Sequence, residues 1–305
     1  MTTQTFHSPG KLLLTGEYVV LDGAKALAIP TKYGQSMQVR VSTATSAILK
    51  WNSIDHQGNT WFQETFQIKD LNYEGTENSF SQTLQDILLT AKALNPNFLD
   101  SNLGYEITTV LDFPRDWGLG TSSTLIYNIA SWAGIDAHLL LQKSFGGSGY
   151  DVAVAAHRTP ILYELKQHLP IVTPVSLHWE FTEHLYFVHL NQKQDSKEGI
   201  SRYKKAKSNN KIDLDSFSEI TSDIITCTSL TEFSRLLSIH EARISEIIEI
   251  PTIKEKLFPD FKGTVKSLGA WGGDFVLVVA ENGQALNYFK EKRFTTIIPF
   301  SDMIL

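Results

Sequence analysis

Cysteine is almost absent: Cys227 is the single one in 305 residues. That excludes an intrachain disulfide framework and a thiolate zinc site, and a lone thiol reads as reduced and partly buried. An excess of positive charge is missing too. Lys and Arg number 27 against 33 Asp and Glu, a formal net charge of −6, so the basic face that sequence-independent nucleic-acid binding needs is not available. No long hydrophobic run exists. The cleanest, Phe275 to Ala280, falls far short of the roughly 20 residues of a membrane span. The opening MTTQTFHSPGK lacks the charged stretch and apolar core of a secretory signal. There is no internal repeat and no low-complexity tract. A cytoplasmic protein without nucleic-acid or membrane partners is expected; a homodimer is compatible with the sequence, which does not fix an oligomeric state.

What is present is an apolar content of 42%, enough for a globular core, arranged in two rhythms. Ser36 to Ser42 and Trp61 to Ile68 alternate with period two, as half-buried strands do, and Tyr105 to Phe113 reads as a further strand. Helical spacing of Phe80, Leu84, Ile87, Leu88 and Ala91 predicts a helix over Ser79 to Leu94. An apolar helix from Ser122 to Ala133 stops at Gly134, and a short one runs from Tyr150 to His157. Beyond these, His184 to Leu190 and Phe275 to Ala280 read as strands and Leu230 to Ile248 as a long amphipathic helix; a helix and a last strand near Thr295 to Phe300 close the chain. The lysine-rich stretch 192–211 reads as a solvated connection, with a mobile loop over a site as the alternative. Strands and helices mix without a regular βαβ rhythm, so the expectation is an α+β protein of two domains, 1–182 and 183–305.

Three segments carry chemistry. In Ser8 to Tyr18 (SPGKLLLTGEY), Lys11 follows a Pro-Gly turn at the mouth of a strand. It either points into water or supplies a point charge to a phosphate or a developing alkoxide. In Pro114 to Thr124 (PRDWGLGTSST), the glycines let backbone approach an anion, and the helix that follows opens with unpaired amides. Its hydroxyls either cap that helix or serve phosphate and magnesium. No Gly-Lys-Ser/Thr follows, so this is not a P-loop, and the spacing is not that of a dinucleotide turn. In Gly146 to Ala153 (GGSGYDVA), Asp151 opens a helix as a dipole partner or as the acceptor of a substrate proton.

In this order the segments resemble the signature set of the GHMP kinases. PGKLLLTGEY is similar to that family's first motif and WGLGTSST to its phosphate-binding second motif. KSLGAWGGD, Lys266 to Asp274, is similar to the third, and GGSGYDVAVA to the segment bearing the catalytic aspartate in mevalonate and phosphomevalonate kinases. The resemblance spans about Ser8 to Ala280. It implies an N-terminal domain like domain 2 of ribosomal protein S5, a C-terminal ferredoxin-like domain, and ATP with Mg2+ as cofactors. Asp151 would be the general base and Lys11 would orient the acceptor hydroxyl. Gly118, Leu119, Gly120, Thr121, Ser122 and Ser123 would wrap the ATP phosphates, with Ser122 also reaching magnesium. Glu17, Tyr18, Gly269, Gly272, Gly273 and Lys197 would face the acceptor.

The departures are specific. Leu140 stands where mevalonate kinases carry a magnesium-binding glutamate, with Gln142 the nearest polar residue; Trp271 stands where glycine is usual in the third motif; and Thr121 and Thr124 replace serine and alanine. The resemblance therefore implies an ATP-dependent kinase acting on phosphomevalonate first and mevalonate second. Lys193, Lys197 and Arg202 are placed to close over an acceptor phosphate. The alternatives are a decarboxylase of the diphosphomevalonate type, a sugar kinase, and a catalytically silent ligand-binding regulator. The joint presence of Lys11 and Asp151 argues against the last, since a binding module needs neither.

Overall fold

In the computed structural model the chain is described from Thr3 to Leu305, apart from residues 43–46, 74, 76–77, 100–102, 193–195, 210, 270 and 272. It divides into two compact units, each discontinuous in sequence. The first comprises Met1–Gly10, Tyr33–Arg115 and Leu119–Arg158; the second comprises Lys11–Lys32, Asp116–Gly118 and Thr159–Leu305. A cut near residue 182 as the seam between domains remains a proposal.

The first unit draws on β1 (Thr3–Leu13), β2 (Ala26–Ser42), β3 (Ile48–Ile54), β4 (Thr60–Gln67), α1 (Ser79–Leu94), β5 (Gly104–Leu111), α2 (Thr121–Ala133), α3 (Ala137–Ser144) and α4 (Tyr150–His157). Its strands run in the order β4-β3-β5-β2, with β3 parallel to β5 and the other two pairings antiparallel. Alternation decides which face is buried. Met37, Val39, Leu49, Trp51, Phe66 and Ile107 point one way and meet Leu84, Ile87 and Leu88 of α1 and Ile126 and Ile129 of α2 in one core. A fully buried side chain of this size stabilises by about 1.5–3 kcal/mol, so this layer of helix on sheet holds α2 and α4 in place. The strands and helices expected from periodicity in this region are all observed, and α2 ends at Gly134 in the left-handed conformation, φ 64°. Helix α3 was not expected; it is eight residues long, and Asp136 caps it by accepting from the Leu139 amide.

The second unit contains β6 (Ile161–Lys166), β7 (Leu169–Pro174), β8 (Leu185–His189), α5 (Ser196–Asn209), α6 (Leu214–Thr226), α7 (Leu230–Ile248), α8 (Ile253–Leu257), β9 (Thr264–Ser267), β10 (Phe275–Val279), α9 (Asn287–Glu291), β11 (Ile297–Pro299) and α10 (Phe300–Met303). Four antiparallel strands lie in the order β11-β8-β10-β9. Residues 26–28 of the long β2 pair with β6, which pairs with β7. All five residues of β10 are buried, as befits a central strand covered on both faces. The reading of 192–211 as a solvated connection is corrected: residues 196–209 form α5. Its apolar stripe is short. Ile200 and Tyr203, one turn apart, pack with Tyr18, Val19 and Ala24, and the lysines around them conceal it. Cys227 is buried and free, as expected.

Candidate active site

Helix α2 opens on Gly120, whose φ of 89° and ψ of 44° lie in the left-handed region, and no side chain caps it. Its first amides are therefore left for an external acceptor. The hydroxyls divide by their partners. Ser123 donates back to the Gly120 carbonyl at 2.8 Å, and Thr124 donates to the Gln35 side chain at 2.8 Å. Ser122 is exposed, so among these serines its hydroxyl is the one turned to solvent. The rotation of α2 is fixed by a buried polar chain. Ser8 donates to Asn128 at 2.7 Å, and Asn128 donates to the Gln35 carbonyl at 3.1 Å.

In the same unit α4 packs against α2. It too starts from a left-handed glycine, Gly149 at φ 86°, with no side-chain cap. Asp151 sits in its first turn, half-buried, and accepts from the Val152 amide at 3.1 Å. That bond serves the helix end, and the second carboxylate oxygen keeps its lone pairs for another donor.

Motif one and the first glycine of motif two meet within the second unit. Lys11 is half-buried in β1 rather than projecting into water, and its Nζ donates to the Gly118 carbonyl at 3.2 Å. Gly118 has φ 66°, and a Cβ there would stand 2.3 Å from the Asp274 carboxyl group. Only glycine allows the end of motif three to lie so close. Gly269 is left-handed at φ 67° with open space around it, and Gly273 is buried.

Glu17 and Tyr18 are engaged with protein partners. Glu17 is 1% exposed and pairs with Lys266, itself 0% exposed. Glu241 Oε1 accepts from the Ser267 amide at 3.1 Å and its hydroxyl at 2.8 Å, and Glu241 Oε2 lies 3.9 Å from Lys266 Nζ. His240 Nε2 accepts from the Gly16 amide at 2.9 Å. Burial, helped by the Lys266 charge, holds His240 well below the ordinary histidine range, so its 3.6 Å approach to Glu17 is not an ion pair. Burial raises Glu17 despite Lys266, and raises Glu241 to about 7. Two buried carboxylates thus share one lysine. Tyr18 carries φ 63° and ψ −47° with a 2.7 Å bond from the Val19 amide to the Glu17 carbonyl, a strained γ-turn. Its phenol, pushed up to about 12 by burial, accepts from the Trp271 amide at 3.2 Å, and its ring stacks on Tyr203.

Of the residues expected over an acceptor phosphate, Arg202 bonds Glu198 one helical turn away at 3.0 Å. Lys193 and Gly272 lie outside the described residues, as does the side chain of Lys197. An aromatic cluster was missed altogether. Trp61 and Phe62 of β4 gather with Phe80 of α1 at centroid distances of 5.4–6.3 Å, and the Arg115 guanidinium lies 3.7 Å over the Trp61 ring. Phe80 is 52% exposed. Its signal was present as adjacent aromatics on an edge strand and an arginine three residues before Gly118; what the sequence lacks is the pairing of β4 with α1. Among the described residues no three His, Cys, Asp or Glu side chains gather as metal ligands, and Leu140 is fully buried. Exposed Ser122 offers magnesium one hard oxygen, which fits an ion that keeps water and phosphate as its other ligands. No described helix is long and apolar enough to cross a membrane.

No family model matches the chain, and no curated protein matches it in sequence. Solved structures do. Mevalonate kinase from L. major, in complex with R-mevalonate, is 15% identical with a TM-score of 0.67, over 97% of this chain and 94% of that one. The Methanococcus jannaschii mevalonate kinase is 13% identical with a TM-score of 0.70, covering 97% and 96%. Phosphomevalonate kinase from Streptococcus pneumoniae, in complex with phosphomevalonate and AMPPNP, is 15% identical with a TM-score of 0.69, covering 95% of each chain. The chain therefore has the fold of the GHMP kinases, across nearly its whole length.

Proposed function

We propose that the protein is an ATP-dependent small-molecule kinase that transfers the γ-phosphoryl group to an acceptor hydroxyl. The observation that carries this reading is the open N-terminus of α2, entered through left-handed Gly120 and flanked by an exposed Ser122. Backbone amides and a positive helix end there form a cradle for phosphate oxygens. Lys11 donates to the carbonyl of Gly118, two residues before Gly120 in the second motif. Exposed Phe80, beside half-buried Trp61 with Arg115 over the indole ring, suits a nucleotide base; aromatic–base stacking contributes about 1–3 kcal/mol per base.

Asp151 accepts the acceptor's hydroxyl proton, and Lys11 stabilises the oxyanion as it forms. Ser122 would offer a protein oxygen to magnesium brought with ATP, and the ion would supply charge neutralisation. Catalysis in such a site is mainly positioning of the acceptor oxygen in line with the γ-phosphorus. Glu17 and Lys266 act one step back, fixing the turn that follows Lys11. The acceptor is phosphomevalonate before mevalonate, a reading supported by the Gly-Tyr-Asp segment and by the basic helix α5. A comparison of kcat/KM for the two acceptors tests it: phosphomevalonate is expected to be the better, and preference for mevalonate would reject the phosphate-pocket reading while leaving the kinase reading intact. Replacing Lys193, Lys197 and Arg202 with alanine should raise the acceptor's KM and leave that of ATP unchanged.

A further inference from the structure

Tyr18 belongs to the first motif, but its side chain is buried and takes no part in the chemistry above. Within the second unit it lies where three segments converge. Its hydroxyl oxygen accepts from the Trp271 amide of the third motif at 3.2 Å. Its ring stacks on Tyr203 of α5, with centroids 6.3 Å apart and an interplanar angle of 24°. The tip of the phenol lies against Gly199, in the first turn of α5. A Cβ there would fall 2.2 Å from the hydroxyl oxygen and 2.5 Å from the ring carbon that bears it. Glycine inside a helix is unfavourable relative to alanine, so at Gly199 the lost helix propensity is offset by room for the phenol.

The third motif meets the same stretch of chain at a second point. The Asp274 amide donates to the Gln192 carbonyl at 2.8 Å, and the Asp274 carbonyl accepts from the Leu190 amide at 2.8 Å. The chain leading from β8 to α5 is thus bonded to the end of the third-motif turn, and α5 itself is held to that turn through Tyr18. Asp22, closing the short helical turn Val19–Asp22, accepts from the Tyr203 hydroxyl at 2.6 Å and pairs with Lys207. The later turns of α5 are therefore fastened to the same segment as Tyr18. A strained backbone such as the γ-turn at Tyr18 persists only where its surroundings over-determine it, and these contacts supply that constraint. We propose that Tyr18 is a positioning residue: its phenol sets the spacing between the start of α5 and the third-motif turn, and so the place of the α5 residues that meet the acceptor. The proposal rests on the reading that α5 closes over the acceptor, and its test separates the two.

Tyr18→Phe keeps the ring and its stack but removes the acceptor of the Trp271 amide. The KM of phosphomevalonate should rise about tenfold, the scale of one lost buried hydrogen bond, with kcat and the KM of ATP within about threefold of wild type. An equal loss for ATP and acceptor is the mark of general destabilisation and overturns the proposal. Gly199→Ala would raise the melting temperature of an ordinary helix; here it should lower it and raise the acceptor KM. In the Tyr18→Phe background the same change should cost less, because the atom nearest the new methyl is gone and the ring is no longer tethered to Trp271. Hydrogen exchange of the unliganded full chain reads the link without turnover. Amides of Trp271 and of residues 198–203 should exchange at least about tenfold faster in Tyr18→Phe, while those of β10 keep their protection. If phosphomevalonate is not phosphorylated, exchange and melting decide alone, and the acceptor reading fails separately. Unchanged exchange over residues 198–203, or a Gly199→Ala variant that melts higher than wild type, overturns the proposal.

Discussion

Gly120 carries φ 89° at the point where the chain enters α2, a conformation that a β-branched residue adopts only under strain. Gly120→Val is expected to weaken nucleotide binding by at least about tenfold, because backbone approach to phosphate is lost while the rest of the core is untouched. Titration with a non-hydrolysable ATP analogue, beside a thermal melt, measures this; wild-type affinity in a folded variant would leave the second motif as a tight turn only. Trp61→Ala tests the base platform. The stacking range of about 1–3 kcal/mol corresponds to roughly 5- to 150-fold weaker nucleotide binding, with acceptor KM unchanged. At this scale legibility followed glycine. Lys11, Gly120 and Asp151 stood out because glycines in fixed places point to anion contact and helix starts. Trp61 and Arg115 gave no such sign, since their contact with each other and with Phe80 is supplied only by the fold.

Elements are tied together by groups whose protonation matters. Glu241 on α7 and Glu17 after β1 share Lys266 of β9, and burial raises both carboxyls, Glu241 to about 7. A carboxyl whose folded pKa lies above its unfolded value binds more protons when folded, so its stabilising contribution is full below about pH 4.5 and is lost as pH rises through about 7. Wild type should therefore melt at progressively lower temperature from pH 5 to 8. Glu241→Gln keeps the oxygen that accepts from Ser267 and removes the titration, so its melting temperature should change less over that range. Equal slopes would mean that Glu241 stays ionised throughout. The same elements show where periodicity succeeds. Helices α1 and α7 are long, and their apolar residues repeat over several turns, so their bounds were legible. Helix α5 shows one apolar pair in a basic stretch and reads as loop until Tyr18 and Ala24 are there to pack against it.

At the scale of the molecule, the α+β class and the likeness to one kinase fold were legible from the order of four short motifs. The discontinuous units were not, because a long strand such as β2 gives no sign along its length of contributing residues to both. The acceptor was not legible either, since the four motifs are backbone-shaping glycine segments and none names the side chains that would select it. The measurement that bears most directly on the central claim is acceptor-dependent formation of ADP from ATP and magnesium. The panel comprises phosphomevalonate, mevalonate, diphosphomevalonate, galactose and homoserine, with phosphorus NMR identifying the product. The account predicts that one acceptor is phosphorylated in step with ADP release. It also predicts that Asp151→Asn loses at least about 100-fold in kcat, the scale of general-base catalysis, while still binding nucleotide. ATP bound by wild type with no acceptor-dependent ADP from any of the five, or near-normal turnover in Asp151→Asn, would contradict it.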